Sequence, residues 1–209
     1  MAGTTERAKT EPAKTTTFGA GFADPGPLGL AAFAMTTFFL SAVNANLLPL
    51  AVEGAVFGLT IFYGGIVQVL AGMWEFAKGN TFGALAFASY GAFWLSFWYL
   101  AAHLKQQAPK ATVNDLNHAV GVYLLAWTIF TAYMFIVSTR TSGALMAVFG
   151  VLTLTFVFLT IGKYGANESM TKVGGWLGLL TAVLAWYASF AGVMNATAKR
   201  VVLPVFPRA

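Results

Sequence analysis

The sequence predicts an all-α, polytopic membrane protein in which a bundle of six helices crosses the bilayer. Of its 209 residues, 58% are hydrophobic and only 9% are charged, whereas a soluble domain carries about 25% charged residues. The placement of charge is equally informative, because the 19 charged residues, 12 basic and 7 acidic, leave six long apolar stretches uninterrupted. So few charges cannot cover a water-exposed surface of this size.

The charge-free stretches set the positions of the helices. They are 25–52, 54–74, 79–104, 116–139, 141–162 and 173–198, each at least 21 residues long. About 20 helical residues, rising about 1.5 Å each, cross the roughly 30 Å hydrocarbon layer. We therefore predict helices over roughly 28–48, 54–76, 81–102, 117–138, 143–162 and 173–196. The stretches are apolar on all sides rather than alternating, so helices are favoured over a β-barrel.

Lys and Arg flank these helices unevenly. One side of the membrane would carry eight of them, namely Arg7, Lys9, Lys14, Lys78, Arg140, Lys199, Arg200 and Arg208. The other side would carry four, namely Lys105, Lys110, Lys163 and Lys172. Because the more basic side faces the cytoplasm, we expect both termini to be cytoplasmic in a multi-pass protein of the cell (plasma) membrane.

Three regions follow from this pattern. Residues 1–23 are polar and threonine-rich and are predicted to be a disordered tail. Residues 24–203 form the six-helix domain, and 204–209 a short C-terminal tail.

Asp, Glu, Lys, Arg and His are missing from the interiors of the predicted spans. Glu53, Glu75, His103 and His118 lie at helix ends, and the chain has no cysteine. A retinal pigment needs a buried lysine, an intramembrane metalloenzyme needs clustered ligands, and a serine hydrolase needs a base beside its serine. An internal carboxylate relay is likewise disfavoured. We predict a protein that is not an enzyme, needs no cofactor or metal, and contacts lipid rather than nucleic acid.

Uncharged polar side chains remain as candidates for contacting a solute. The candidates for the substrate path are Thr37, Asn44, Tyr63, Gln68 and Tyr90. Such groups suit a small solute that is neutral or singly charged. Phe33, Thr37, Leu40 and Asn44 share one face of helix 1. The alternative is that hydroxyl groups in the spans bond their own helix backbone.

Before Phe33 and the residues that share its face, the chain carries an unusual segment, Asp24, Pro25, Gly26, Pro27, Leu28, Gly29 and Leu30. Its prolines preset the first helical turn, and its glycines allow the backbone to approach a neighbour closely. Free N–H groups at a helix start attract anions. A generic helix start would explain the prolines equally well.

This segment resembles the Asn-Pro-Ala-Pro-Leu-Gly-Leu signature of the acetate uptake transporter family, the SatP/YaaH type related to fungal acetate permeases. Further similar segments follow in the family's order and extend the resemblance from residue 24 to about 205: Met35–Thr37, Ile61–Gly65, Gln68, Lys78–Gly83, Ser89–Gly91, Phe93–Trp94, Gly121–Tyr123, Trp127 and Gly174–Trp176. Two positions depart from the signature. Asp24 replaces Asn and Gly26 replaces Ala, and the charge of Asp24 is expected to repel an anion slightly.

The resemblance implies a six-helix protomer assembled as a homo-hexamer, with a path through each protomer. It implies uptake of acetate and other small carboxylates, succinate among them, coupled to protons. It places an apolar constriction at Phe33, Tyr90 and Leu152, and ties Leu152 and Ala185 to substrate size. An apolar ring of this kind excludes larger solutes and dewets when closed.

Alternatives to proton-coupled transport stay open. A bare carboxylate in an apolar path is costly, so acetate crosses with its proton or is solvated by N–H and hydroxyl donors. The absence of titratable groups inside the spans keeps a passive small-anion channel of the same fold under consideration. A non-transporting scaffold or sensor is the alternative from a different class.

Overall fold

The computed structural model describes residues 21–208, so most of the predicted N-terminal tail lies outside the described residues. In this part of the chain, six helices are long and apolar enough to cross a membrane. They are α1 Gly26–Asn44, α2 Leu59–Ala77, α3 Thr81–Gln107, α4 Val113–Ser138, α5 Gly143–Tyr164 and α6 Glu168–Ala198. The predicted all-α class with six spans is confirmed.

Polar caps fix where the last four helices begin. A side chain just before each helix accepts a hydrogen bond from a backbone N–H three residues later; the caps are Asn80, Thr112, Ser142 and Asn167. Each cap satisfies a donor that the helix itself leaves unpaired. Because their caps lie in polar segments, α4 and α6 begin before the apolar spans predicted for them, whereas α3 begins at the predicted residue and extends further at its C-terminal end.

The connection from α1 to α2 differs from the prediction. α1 ends at Asn44 rather than near residue 48, since Asn46 has a left-handed backbone conformation with φ 63°. A 3-10 helix over Leu50–Val56 occupies the predicted start of helix 2. The first half of α2, Leu59–Val67, is then a π-helix. The positions of the charged residues show how long an apolar segment is, but not whether its backbone hydrogen bonds are those of an α-helix, a 3-10 helix or a π-helix. They could therefore not predict the 3-10 helix or the π-helix.

Small residues allow the helices to pack closely in the order α4, α5, α6, α1, α2 and α3, with a slighter contact between α3 and α4. At Gly72 of α2, a Cβ atom would lie 2.6 Å from the backbone nitrogen of Ala88 in α3. At Gly178 of α6, a Cβ atom would collide with the side chain of Ser41 in α1. Close backbone approach at small residues is a main source of helix association in membranes.

We expect Gly72→Ala to destabilise the protein by about 1–3 kcal/mol, because the added methyl group would overlap the rigid backbone of α3. Thermal unfolding in detergent would measure the loss. Gly58→Ala is the matched control, since a Cβ atom at Gly58 meets nothing within 4 Å. Equal unfolding temperatures for the two variants would contradict the close contact.

The last described residues fold back onto the start of α5. The side-chain oxygen of Asn195 accepts hydrogen bonds from two backbone N–H groups of the turn that follows α6. The N–H groups of Gly143 and Ala144 then donate to the carbonyl oxygens of Phe206 and Val205, at 2.7 and 3.2 Å. The segment predicted as a short C-terminal tail therefore packs against the membrane domain.

Candidate functional site

A cavity of about 240 Å³ lies on the side of the bundle where the described chain starts and ends, and we call it the terminal cavity. Five helices and the C-terminal segment line it: Asp24, Gly26, Pro27, Leu30, Phe33, Gln68, Glu75, Asn80, Phe82, Ala86, Phe87, Tyr90, Ser142, Ala144, Leu145, Val148, Phe149, Leu152, Ala188, Gly192 and Val205. Along α5 the lining runs from Ser142 to Leu152. At about 1.5 Å per residue, the cavity therefore reaches roughly 15 Å into the bundle.

The three residues predicted to form the constriction meet at the inner end of this cavity. Phe33, Tyr90 and Leu152 line it, are 5%, 3% and 3% exposed, and belong to one apolar cluster. The ring centroids of Phe33 and Tyr90 are 5.6 Å apart. Residues from α1, α3 and α5 therefore converge as the sequence-based hypothesis requires, and their role as a gate stays a prediction.

The ring of Tyr90 is held from several directions. Its hydroxyl group hydrogen-bonds to Oγ1 of Thr131 at 2.9 Å. Its ring centroid lies 5.4 Å from that of Phe130 and 6.1 Å from that of Phe149. The hydroxyl group is thus engaged with α4, and the ring forms part of the apolar end of the cavity. Nothing in the sequence distinguishes Thr131 or Phe149 as site residues, since α4 and α5 carry many similar residues.

Two of the predicted polar path residues are buried with unpaired hydrogen-bonding atoms. Gln68 is 1% exposed and lines the terminal cavity, and its Oε1 has no hydrogen-bond partner among the described residues. Oγ1 of Thr37 is likewise buried and unpaired there, one turn beyond Phe33 on α1. A buried acceptor without a donor is costly, so Gln68 is suited to bind a solute that donates a hydrogen bond.

The structure places the other predicted residues elsewhere. Asn44 lines a second cavity of about 680 Å³ on the opposite side of the bundle, which we call the opposite cavity. Tyr63 is half-buried in the π-helical part of α2 and lines neither cavity. Ala185 is fully buried in the apolar cluster and also lines neither cavity. Their proposed roles in the path and in substrate size remain predictions.

Packed side chains separate the two cavities. Phe33 lines one cavity and Val43 the other, which places them about 15 Å apart along α1. The buried apolar cluster that contains Phe33 also contains Leu40, Phe93, Trp94 and Phe156. The path between the cavities is therefore closed in this structure by aromatic and aliphatic side chains.

The opposite cavity is polar and carries basic side chains. Lys163, Lys172 and Glu168 line it together with Asn44. Nearby, burial raises the pKa of Glu53 above its ordinary value, and the positive charge of Lys163 opposes that shift. Two lysines against one lining carboxylate give this cavity a positive balance, which attracts small anions.

The segment from Asp24 to Leu30, which includes the first turn of α1, forms the mouth of the terminal cavity. Asp24, Gly26, Pro27 and Leu30 line the cavity, whereas Leu28 points outward and is 46% exposed. The residue that precedes α1 is Pro25. At Gly29 a Cβ atom would lie 2.6 Å from the ring of Phe87, so this glycine lets α1 approach α3. Packing contacts of this kind therefore explain most of the residue types in the segment.

The two departures from the family signature are structurally linked. Asp24 accepts a hydrogen bond from the N–H of Gly26 at 3.2 Å and pairs with Lys78 at 3.5 Å. The repulsion expected from Asp24 is therefore offset by a neighbouring positive charge. A Cβ atom at position 26 would lie 3.3 Å from Oδ1 of Asp24 and 3.4 Å from Oε1 of Glu75. Glycine thus leaves room for both carboxyl groups.

Glu75 is a lining residue that sequence reasoning assigned only to a helix end. Its side chain is 2% exposed, and its Oε2 accepts a hydrogen bond from Nδ2 of Asn80 at 2.8 Å. The structure agrees with the placement of Glu75 at a helix end and adds that this carboxyl group lines the cavity at its mouth. One signal was present in the sequence: Glu75 follows Gln68 by seven residues, which places both on one face of α2.

The fold and the cavities define a class of protein. A bundle with six spans, a cavity on each side and a packed apolar plug between them has the architecture of a membrane transporter or channel. The chain belongs to the GPR1/FUN34/yaaH family, whose model matches residues 7–208.

Individual relatives support this membership. The chain is 41% identical over 185 residues to the succinate-acetate/proton symporter SatP of Escherichia coli K12, with 88% of this chain and 95% of that protein covered. It is 39% identical over 196 residues to acetate permease A of Emericella nidulans, with 88% and 66% covered. It is 43% identical over 188 residues to accumulation of dyads protein 2 of Saccharomyces cerevisiae, with 89% and 66% covered.

A solved structure agrees with the fold. The bacterial acetate channel SatP superposes with a TM-score of 0.81 at 38% identity, covering 88% of this chain and 99% of the other. The chain spans 66% of the length of the two fungal relatives but nearly the whole of the bacterial ones. The family comprises transporters and channels rather than enzymes, and the protein is a multi-pass membrane protein.

Proposed function

We propose that this protein conducts acetate and similar small carboxylates across the cell membrane, with a proton accompanying net uptake. The observation that carries the proposal is the terminal cavity, which leads past Gln68 to a closed end formed by Phe33, Tyr90 and Leu152. The relatives named as an acetate permease and as a succinate-acetate/proton symporter support the same substrate class.

The chemistry of the cavity favours a small molecule with one polar end. Its inner walls are aromatic and aliphatic, and the three constriction residues are nearly inaccessible to solvent. A two-carbon acid has a methyl group for such walls and a carboxyl group for the few polar atoms. Larger or more strongly charged solutes would lose more hydration than these walls could replace.

Gln68 supports passage with a proton. Its buried Oε1 lacks a donor among the described residues, and its side-chain amide also carries two N–H donors. A protonated carboxylic acid offers the complementary pair, an O–H donor and a carbonyl acceptor. A bare carboxylate offers only acceptors and would leave Oε1 of Gln68 unpaired.

A passive anion channel is the second candidate function. The constriction itself contains no ionisable group other than the hydrogen-bonded phenol of Tyr90, and the structural relative is named an acetate channel. The lysines of the opposite cavity would attract anions by the same mechanism in either case.

Uptake of labelled acetate into liposomes containing the purified protein tests the proposal. We expect uptake above that of empty liposomes, and faster uptake when an inward proton gradient is imposed. Acetate currents that do not depend on the proton gradient would favour the passive channel. Uptake equal to that of empty liposomes would exclude both functions and leave a non-transporting role.

Assembly and orientation are part of the same proposal. We propose a homo-hexamer with a separate path in each protomer and with both termini in the cytoplasm, as the family resemblance and the distribution of basic residues suggest. Many large apolar side chains are exposed on the outer faces of the helices, where lipid and neighbouring protomers would cover them.

A further inference from the structure

Glu75 is a buried carboxyl group at the mouth of the terminal cavity. It lies in the last turn of α2, lines the cavity and is 2% exposed. Burying a carboxylate is costly unless charges and hydrogen bonds compensate for its lost hydration. The balance of its surroundings therefore decides how easily this group holds a proton.

The compensation around Glu75 is incomplete. Asn80 donates one hydrogen bond to Oε2 at 2.8 Å. Oε1 lies beside the backbone of Gly26 and Gly83, close enough that a Cβ atom added to these glycines would approach it to 3.4 and 3.0 Å. The hydrogen bond from Asn80 reaches the other oxygen of the carboxyl group. Oε1 is therefore available to carry a proton.

Two nearby charges of opposite sign act on Glu75. Asp24 and Lys78 are the charged groups that act on Glu75, and they pair with one another at 3.5 Å. The remaining lining residues from α1, α3, α5, α6 and the C-terminal segment are uncharged. Lys78 is thus shared between two carboxyl groups at this mouth, and the proton affinity of Glu75 is set by its burial, by Asn80 and by this ion pair.

We propose that Glu75 is a proton-binding site that controls the admission of carboxylates to the terminal cavity. With Glu75 ionised, an incoming carboxylate meets a second negative charge in a region of low dielectric constant, where like charges repel strongly. With Glu75 protonated, the mouth is neutral apart from the Asp24–Lys78 pair, and the carboxylate can reach Gln68. This inference rests on the proposed transport function and extends it to a named residue.

The test measures exchange of labelled acetate across liposomes at a series of pH values. The pH is equal on both sides, the concentration of acetate anion is held constant, and the rate in empty liposomes is subtracted at each pH. For the wild-type protein we expect the rate to fall about tenfold more steeply per pH unit above a midpoint than below it, as for one additional titrating group. Glu75→Gln keeps an oxygen for Asn80 and remains neutral, so its pH profile should lack this change of slope, and its rate should exceed that of the wild-type protein above the midpoint.

Glu53→Gln is the matched control. It removes a carboxyl group from the 3-10 helix before α2, and Glu53 lines neither cavity. This variant should keep the wild-type pH profile. A Glu75→Gln protein that folds but keeps the wild-type profile, or that has lost uptake, would overturn the proposal.

Asn80→Asp provides an independent arm in case Glu75→Gln does not fold. An aspartate at position 80 can still accept the capping hydrogen bond that Gly83 now donates at 3.1 Å, but it cannot donate to Glu75 and adds a negative charge beside it. The midpoint should therefore move to higher pH, and an unmoved midpoint would contradict the proposal. If wild-type protein shows no uptake at any pH, the transport function itself fails; a failure confined to the variants rejects only the role of Glu75.

Discussion

Tyr90→Trp is expected to reduce acetate uptake to the level of empty liposomes. Tyr90 is 3% exposed at the closed end of the terminal cavity, with the rings of Phe33 and Phe149 close by. An indole ring is larger than a phenol and cannot retain the hydroxyl contact with Thr131. The extra volume has no free space except the cavity itself, so it should obstruct the path.

Tyr133→Trp on α4 controls for this substitution, because Tyr133 is 44% exposed and lines neither cavity. Uptake by this variant should match that of the wild-type protein. Overpacking at Tyr90 costs about 1–3 kcal/mol of stability, so both variants should first be compared by size-exclusion chromatography. Normal uptake by a folded Tyr90→Trp protein would show that the substrate bypasses this end of the cavity.

The second large effect is expected at Leu152. Leu152→Ala removes a branched side chain from the constriction, where Leu152 is 3% exposed and lines the cavity. The wider opening should admit lactate better, and the ratio of lactate to acetate uptake should rise on the order of tenfold, the effect of a small change in the size of an apolar pocket. Competition between the two labelled acids in liposomes would measure the ratio.

Leu154→Ala is the control on the same helix, since Leu154 is 50% exposed and does not line the cavity. Its lactate-to-acetate ratio should not change. Truncating a side chain in the buried cluster also lowers the free energy of unfolding by about 2–5 kcal/mol. The ratio of lactate to acetate uptake, measured in one preparation, does not depend on the amount of folded protein. An unchanged ratio in Leu152→Ala would remove Leu152 from the constriction.

Glu75 and Asn80 show where sequence reasoning reached its limit. The last residues of an apolar stretch are usually hydrated, so a carboxyl group at the end of helix 2 gave no reason to expect burial. The structure buries it because α2 ends against the start of α3, where Asn80 caps α3 and also donates to Glu75. A contact between two helix ends depends on their relative position, which the linear sequence does not state.

Predicted path residues lie in two different cavities, and the sequence could not show this for a similar reason. Phe33, Gln68, Tyr90 and Leu152 line one cavity, whereas Asn44 lines the cavity on the other side. Phe33 and Asn44 share a helical face, and helical periodicity predicted this correctly. Periodicity could not show that the neighbouring helices close around that face and leave one of these residues on each side of a packed core.

The sequence alone determined the number of helices, their approximate lengths and their placement in a membrane, because a charged side chain in hydrocarbon is penalised wherever it occurs along the chain. It also carried the family resemblance, through short segments whose order can be recognised without coordinates. Only the tertiary structure decided which side chains face a common cavity, that the cavity is closed at Tyr90, and that Glu75 is buried at its mouth. Those properties depend on how separate helices pack together. Contacts between small residues position helices in lipid, and many arrangements of the same apolar segments could make such contacts.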